Sequence, residues 1–342
     1  MVNLKALSTS ELNSFVKSQG LPSFRARQLI HWIYERLARD IEEITVLSKE
    51  LRRKLKEIAF ISNLEIIERL VSRDGTTKYL FKLEDEETIE SVLIPDRDRL
   101  TLCISSQVGC PMGCRFCLTG TIGLRRNLLA HEIVDQVISI KREHPHITNI
   151  VFMGMGEPLL NLENTVEALR RFTEFMHFSP RKITVSTCGI PDKIEALYKA
   201  FPKNPPNLAI SLNATTDEIR SSIMPVNRTY PLKRLLETLR RIPLPPRRRI
   251  TFEYVLLEGI NDSPQDPRRL LRLLKGIPSK VNLIPFNPAS GLSFKRPPEE
   301  RVLQFQKVLA EAGITAIIRK SRGDDILAAC GQLRARYVTA DG

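Results

Sequence analysis

Three cysteines, Cys110, Cys114 and Cys117, form a C-x3-C-x2-C run. Thiolates this close converge on one metal centre if the loop between them folds around it. Their number is informative, because a structural zinc ion or an ordinary iron–sulfur cluster takes four protein ligands. Three leave one iron of a 4Fe–4S cluster without a protein ligand, open to a substrate or cofactor. The other reading is a zinc knuckle completed by a distant fourth thiol, Cys103 or Cys188. Spacing alone leaves both readings open.

Other chemistry-bearing residues sit at regular intervals downstream. Gly154-Met155-Gly156-Glu157 offers two glycines that let backbone approach a ligand, followed by a carboxylate that could hold an amine. Ser186-Thr187-Cys188-Gly189 and Ser211-Leu212-Asn213-Ala214 each end an apolar run with small polar side chains. Such residues serve a ligand or simply cap a helix. Pro285-Phe286-Asn287-Pro288 is a rigid turn that could present Asn287 to the same place. Two cysteines stand apart. Cys103 precedes the run by seven residues, and Cys330 lies in a Gly-flanked polar stretch from Arg322 to Leu333. A cysteine in such a loop is a candidate reactive thiol, whereas a free cysteine is more often a buried small hydrophobe.

The elements that must position these residues alternate. Strands are predicted over 149–153, 182–186, 207–212, 249–256, 280–284 and 316–319. Helices are predicted over 130–141, 162–173, 191–200, 232–240, 266–274 and 297–312. A further strand, 100–105, runs into the cysteine loop. Repeated βα units imply an α/β fold with a parallel sheet or barrel. Six or seven units fit, fewer than a closed eight-fold barrel needs, so ligands belong at the C-terminal ends of the strands. Ahead of this core, residues 62–95 read as three strands turning at Asp74-Gly75 and at the acidic 84–87 run. Residues 8–58 read as three helices, the first capped by Ser8 or Ser10, the last exposing Arg52, Arg53, Lys54 and Lys56. Expected units are therefore 1–58 (helical), 59–97 (β extension) and 98–335 (core barrel).

Composition narrows the class. Hydrophobic residues make up 42% of the 342, enough to bury a core, and no apolar run approaches the length of a membrane span. The N-terminus lacks the apolar region of a secretory signal, so the expected location is the cytoplasm. Six cysteines in a chain of this size do not read as a disulfide framework. The net charge is +13. Residues 1–58 carry 11 Lys/Arg against 7 Asp/Glu, and residues 59–96 carry 4 against 9, so a net +14 falls on 97–342. Such an excess attracts polyanions, nucleic acid foremost. A basic helical module suits an RNA-binding accessory unit or a merely solvated cap.

These residues together resemble the radical S-adenosylmethionine (SAM) superfamily, through Cys110, Cys114, Cys117 and Gly156-Glu157. More narrowly the chain is similar to the RlmN/Cfr family of RNA adenine methyltransferases. The matching stretches are Ser105-Ser106-Gln107-Val108-Gly109-Cys110, Gly154 to Asn161, Ser211 to Ala214, Pro285 to Pro288, and Arg322-Gly323-Asp324-Asp325 ahead of Cys330. The resemblance implies a partial (β/α)6 radical SAM barrel with a small N-terminal helical accessory domain and a β-strand extension. It implies a 4Fe–4S cluster on Cys110, Cys114 and Cys117, with SAM bound by Gly156, Glu157, Ser186, Ser211, Leu212, Asn213 and Asn287. One SAM would methylate Cys330. A second would be cleaved reductively to a 5′-deoxyadenosyl radical that abstracts hydrogen from that methyl, and the carbon radical would add to an adenine ring carbon. Cys103 matches the thiol that helps resolve the protein–RNA adduct, Glu90 matches a proton-transfer carboxylate, and a disulfide bond is also implied. The implied partners are 23S ribosomal RNA, transfer RNA and an electron donor such as flavodoxin or ferredoxin, with the enzyme a monomer. The Pro285-Phe286-Asn287-Pro288 turn favours methylation at adenine carbon 2, with carbon 8 as the alternative. A radical SAM enzyme acting on a small molecule or protein, and a zinc-stabilised RNA-binding protein, are the competing readings. Cys188 stands where serine is common in this turn and is given no role.

Overall fold

The computed structural model describes residues 1–333. The last two residues of the expected 98–335 core therefore lie outside the described residues. One sheet of ten strands runs in sequence order from edge to edge. Strands β1 (Glu65–Val71), β2 (Thr77–Lys82) and β3 (Thr88–Asp96) form an antiparallel meander. β3 also pairs antiparallel with β4 (Arg99–Cys103). From β4 onward every neighbour is parallel: β5 (Asn149–Phe152), β6 (Ile183–Thr187), β7 (Asn207–Ser211), β8 (Ile250–Leu256), β9 (Ser279–Pro285) and β10 (Ala316–Ile318). β1 and β10 are the two edges, so the barrel is incomplete. The six crossovers that link β4 to β10 give the six expected βα units and a seventh parallel strand. The crossovers are right for parallel strands, which need a connection long enough to return to the same end.

The N-terminal helices are α1 (Thr9–Ser18), α2 (Phe24–Ile30) and α3 (Lys49–Ile58). Ser8 caps α1 in a reciprocal capping box with Glu11, and Ser48 caps α3. The basic face of α3 is less free than the sequence suggests. Arg52 is half-buried and donates to the Glu42 carbonyl, while Lys54 pairs with Glu50 at 2.8 Å and Lys56 with Asp40 at 3.3 Å.

The crossover helices are α4 (Leu118–Ile122), α5 (Ala130–Glu143), α6 (Leu162–Arg170), α7 (Pro191–Ala200), α8 (Asp217–Ile223), α9 (Leu232–Arg241), α10 (Gln265–Leu274) and α11 (Glu299–Glu311). α5 is buried from Ala130 through Ile140, and loop segments of the N-terminal unit around Lys5, Leu37, Ala38, Ser62 and Asn63 bond to it. The join between them is polar. Lys5, 1% exposed, pairs with the equally buried Asp135 and donates to the Ser62 carbonyl at 2.6 Å. Buried Arg171 donates to the carbonyls of Lys5 and Leu7 and to the Tyr34 hydroxyl. Arg142 on α5 donates to the carbonyls of Leu37 and Ala38. A charge buried this deeply is tolerated only when paired and hydrogen-bonded, so these contacts fix the module on the core. No described helix is long and apolar enough to cross a membrane.

Candidate active site

A cavity opens at the C-terminal ends of the parallel strands, with about 970 Å³ of free space, part of it open to solvent. Alternate residues of a strand face one side of the sheet. Phe152 of β5, Ser186 and Thr187 at the end of β6, Ser211 of β7, Glu253 and Val255 of β8 and Ile284 of β9 line it. The cysteine run forms the facing wall, with Cys110, Cys114 and Cys117 all lining the cavity.

The loop carrying these thiols is held from both sides. A two-stranded ladder, Gln107–Cys110 with Gly123–Asn127, brackets it. Arg126 ties that ladder down with paired bonds to Glu132 at 2.8 and 2.9 Å and to Asp85 at 2.5 and 3.0 Å. Burial raises the pKa of the Cys110 and Cys117 thiols, making them less acidic than an ordinary thiol, and the neighbouring cysteines add to the effect. Loading a cationic group here must therefore release protons. Among the described residues no three His, Cys, Asp or Glu side chains are gathered as ligands of a single ion. Three thiols on one loop at the cavity wall are a donor set that could hold a 4Fe–4S cluster.

Glu157 is 2% exposed, and both its carboxylate oxygens are engaged. Oε1 accepts from the Leu159 amide at 3.0 Å and Oε2 from the Cys188 amide at 2.7 Å, while its own N–H donates to Gln107 Oε1 at 2.8 Å. Burial raises its carboxyl, with these donors pulling the other way. The two glycines line the cavity, and each also stands where a side chain would clash with a neighbouring loop. Gly156 has φ +101°, and a Cβ there would meet Gln107 Cβ at 2.6 Å, while one on Gly154 would meet the Ile104 carbonyl carbon at 2.7 Å. They permit strand-end loops to pack on each other.

Asn213 also lines the cavity, in left-handed backbone with φ 58° that Asn tolerates. Its Oδ1 accepts from the Val255 amide at 2.8 Å, locking the ends of β7 and β8 together. Leu212 is fully buried and is not among the lining residues. Asn287 lines the cavity and reaches the Cys330 segment, accepting from Ser321 Oγ and donating to the Cys330 carbonyl at 3.4 Å.

Cys330 sits on the wall between this cavity and a smaller one, and Cys103 lines the smaller one. The Cys330 loop is pinned to the triad, since the Leu118 amide donates to the Gly331 carbonyl at 2.8 Å. Burial raises the Cys103 thiol, reinforced by Cys330, whereas Cys330 itself is exposed. Glu90 is not in the large cavity. It lies on the face of β3 shared with Val92, which is paired with Cys103, and it forms a 3.0 Å ion pair with Lys78. The expected disulfide is not formed: all six cysteines are free. Cys103 and Cys330 line one cavity without bonding, and Cys114 and Cys188 have their sulfurs 3.9 Å apart, about twice a disulfide bond.

Sequence reasoning missed Arg220. It is fully buried on α8 and donates to the carbonyls of Leu212 (3.0 Å), Cys188 (2.6 Å) and Ser211 (3.2 Å) and to Asn227 Oδ1 (3.0 Å). One guanidinium thus stitches together the ends of β6 and β7. Asn261 does the same for β7 and β8, donating to the carbonyls of Asn213 at 2.6 Å and Val255 at 2.7 Å.

With this geometry in view, comparison with known proteins is direct. Residues 104–274 match the family model of the Radical SAM superfamily, and residues 2–61 match that of the ribosomal RNA large subunit methyltransferase N-terminal domain. The chain is 52% identical to the dual-specificity RNA methyltransferase RlmN of Geotalea uraniireducens, over 98% of this chain and 97% of that one. The chain belongs to the RlmN family of radical SAM RNA methyltransferases. The RlmN of Geobacter sulfurreducens is 53% identical over 98% of this chain and 93% of its own. The structure of a radical SAM methyltransferase from Sphaerobacter thermophilus superposes with a TM-score of 0.92 at 44% identity, covering 98% of this chain and all of that one. The RlmN-family assignment excludes the zinc-stabilised binding protein and makes the incomplete barrel a radical SAM core.

Proposed function

We propose that this enzyme methylates carbon 2 of an adenine in 23S ribosomal RNA, and in transfer RNA, through a methyl group carried on Cys330. One arrangement supports the reading above the rest: Cys330 stands between the triad's cavity and the cavity that holds Cys103. A carrier must meet the methyl donor on one side and the RNA base on the other. Adenine carbons 2 and 8 are electrophilic amidine carbons, so a direct polar transfer of a methyl cation fails there.

Cys110, Cys114 and Cys117 would hold a 4Fe–4S cluster. Gly156, Glu157, Ser186, Ser211, Asn213 and Asn287 would line the SAM site, with Leu212 contributing only main chain. Together the cluster and SAM would supply one-electron chemistry that activates the methyl on Cys330, the electron coming from a flavodoxin or ferredoxin. Glu157 orients the turn that receives the amine, because both its oxygens are fixed by backbone amides. Cys103, neutral in its buried site, is placed to act on an adduct formed at Cys330. Glu90 would exchange a proton with the base from the same face of the sheet, held by Lys78. The net positive charge would hold RNA phosphates, and the target base must leave its stack to enter. The same groups could serve carbon 8, and the experiment decides. RNA incubated with the anaerobic, cluster-loaded enzyme, SAM and reductant is digested to nucleosides and analysed by mass spectrometry. 2-Methyladenosine is expected; 8-methyladenosine alone, or no methylated adenosine, overturns the proposal.

A further inference from the structure

We propose that Glu253 is the positioning residue that takes the proton of the Cys330 thiol when this sulfur accepts its methyl group. The inference rests on the carrier role given to Cys330 above.

Five residues line both cavities: Met153, Glu253, Ile284, Asn287 and Cys330. Of these only Glu253 and Cys330 ionise in the ordinary range. Glu253 is 7% exposed, on the inward side of β8. Glu157 is the other carboxylate lining the large cavity, and both its oxygens are occupied by backbone amides. The Glu253 carboxylate accepts one hydrogen bond among the described residues, from Asn282 Nδ2 to its Oε1 at 2.9 Å, so Oε2 retains its capacity to accept. The groups facing it from neighbouring elements are Asn282 and Lys280 of β9, Arg319 just after β10, and Cys330. Burial raises the Glu253 carboxyl, while Arg319, Asn282 and Lys280 pull it back. Cys330 is exposed at the cavity wall, and a protonated thiol is a poor nucleophile until a base relieves it of the proton. A carboxyl moved toward neutrality is well matched to that task.

The step balances without any redox partner. The Cys330 S–H bond breaks and its proton passes to the Glu253 carboxylate. The sulfur lone pair forms a bond to the methyl carbon of SAM. The sulfonium–methyl bond breaks, its electron pair stays on the departing sulfur, and S-adenosylhomocysteine leaves. The alternative is that Glu253 is only a structural acceptor for Asn282.

The test reads Cys330 alkylation by iodoacetamide against pH, peptide by peptide, in the full cluster-loaded protein under anaerobic conditions. With Glu253 as acceptor, the wild-type profile has a shoulder below the thiol's own titration. Glu253→Gln, which keeps the Asn282 bond, loses the shoulder and slows alkylation near neutral pH by about tenfold or more. Glu253→Asp restores part of the shoulder. An unchanged Glu253→Gln profile overturns the proposal. So does faster alkylation with the curve moved to lower pH, because removal of a merely repelling charge does that. Melting curves of both variants exclude misfolding as the cause. Neither SAM turnover nor RNA enters this readout. Absence of SAM-dependent methylation of wild-type Cys330 would instead sink the carrier role itself.

Discussion

Replacing Gly156 by Ala should loosen the strand-end loops even with no cofactor bound. The new Cβ would stand 2.6 Å from Gln107 Cβ and 2.8 Å from the Gln107 amide nitrogen, which is backbone and cannot rotate away. Gln107 is also the acceptor for the Glu157 amide, and its own amide donates to the Met155 carbonyl at 3.2 Å. Holding a non-glycine residue at φ +101° costs about 1–3 kcal/mol, and overpacking a filled site costs about 1–3 kcal/mol more. Local opening of these loops should thus become easier by about 2–6 kcal/mol, which is about 30-fold or more in hydrogen exchange. Exchange mass spectrometry on peptides covering 105–110 and 154–160 of the cluster-free protein measures it. Unchanged exchange there, with only SAM binding impaired, would refute the packing argument and return the glycine to a ligand-approach role.

Further outcomes follow from other contacts. Lys5→Met leaves Asp135 buried without its cation and should destabilise the protein by about 3–5 kcal/mol, whereas adding Asp135→Leu should recover most of the loss; denaturant melts of the two variants check it. Cys188→Ser should keep the brown colour of the anaerobically purified protein and Cys114→Ser should lose it; a colourless Cys188→Ser protein would make Cys188 a ligand. Glu253 keeps its proton to a higher pH when folded than when unfolded. Its stabilising contribution is therefore full below the unfolded carboxyl value, about 4.5, and is lost as pH rises through the raised folded value. Melting temperatures across that window should show Glu253→Gln gaining on wild type as pH rises; a constant difference contradicts this.

Most of the frame was legible because the barrel repeats itself. Each βα unit carries a full hydrophobic period, so β5 to β10 fall within about two residues of their sequence-predicted bounds. The cysteine triad was legible through spacing, and Cys330 through its place in a polar loop. α8 was missed, since seven residues ending at Ile223 before Pro225 carry too little period to stand out. Arg220 was missed for a related reason. A charged residue on a short helix normally faces water, and only the carbonyls of Ser211, Leu212 and Cys188, brought together by tertiary structure, make its burial favourable. Glu253 was hidden inside an apolar strand, where β8 reads as continuous core. The packing of Gly156 against Gln107 was not legible, because sequence shows that a side chain is absent but not which neighbour fills the space.

The fate of the methyl hydrogens tests the central claim most directly. SAM carrying a fully deuterated methyl group is supplied to the cluster-loaded enzyme with RNA, and the methyladenosine is analysed by mass spectrometry. If the methyl rests on Cys330 and loses a hydrogen atom before joining the base, the product keeps one deuterium fewer than the donor methyl, and Cys330→Ala makes none while retaining its cluster. A product that keeps every deuterium, or methylation that survives Cys330→Ala, would contradict it.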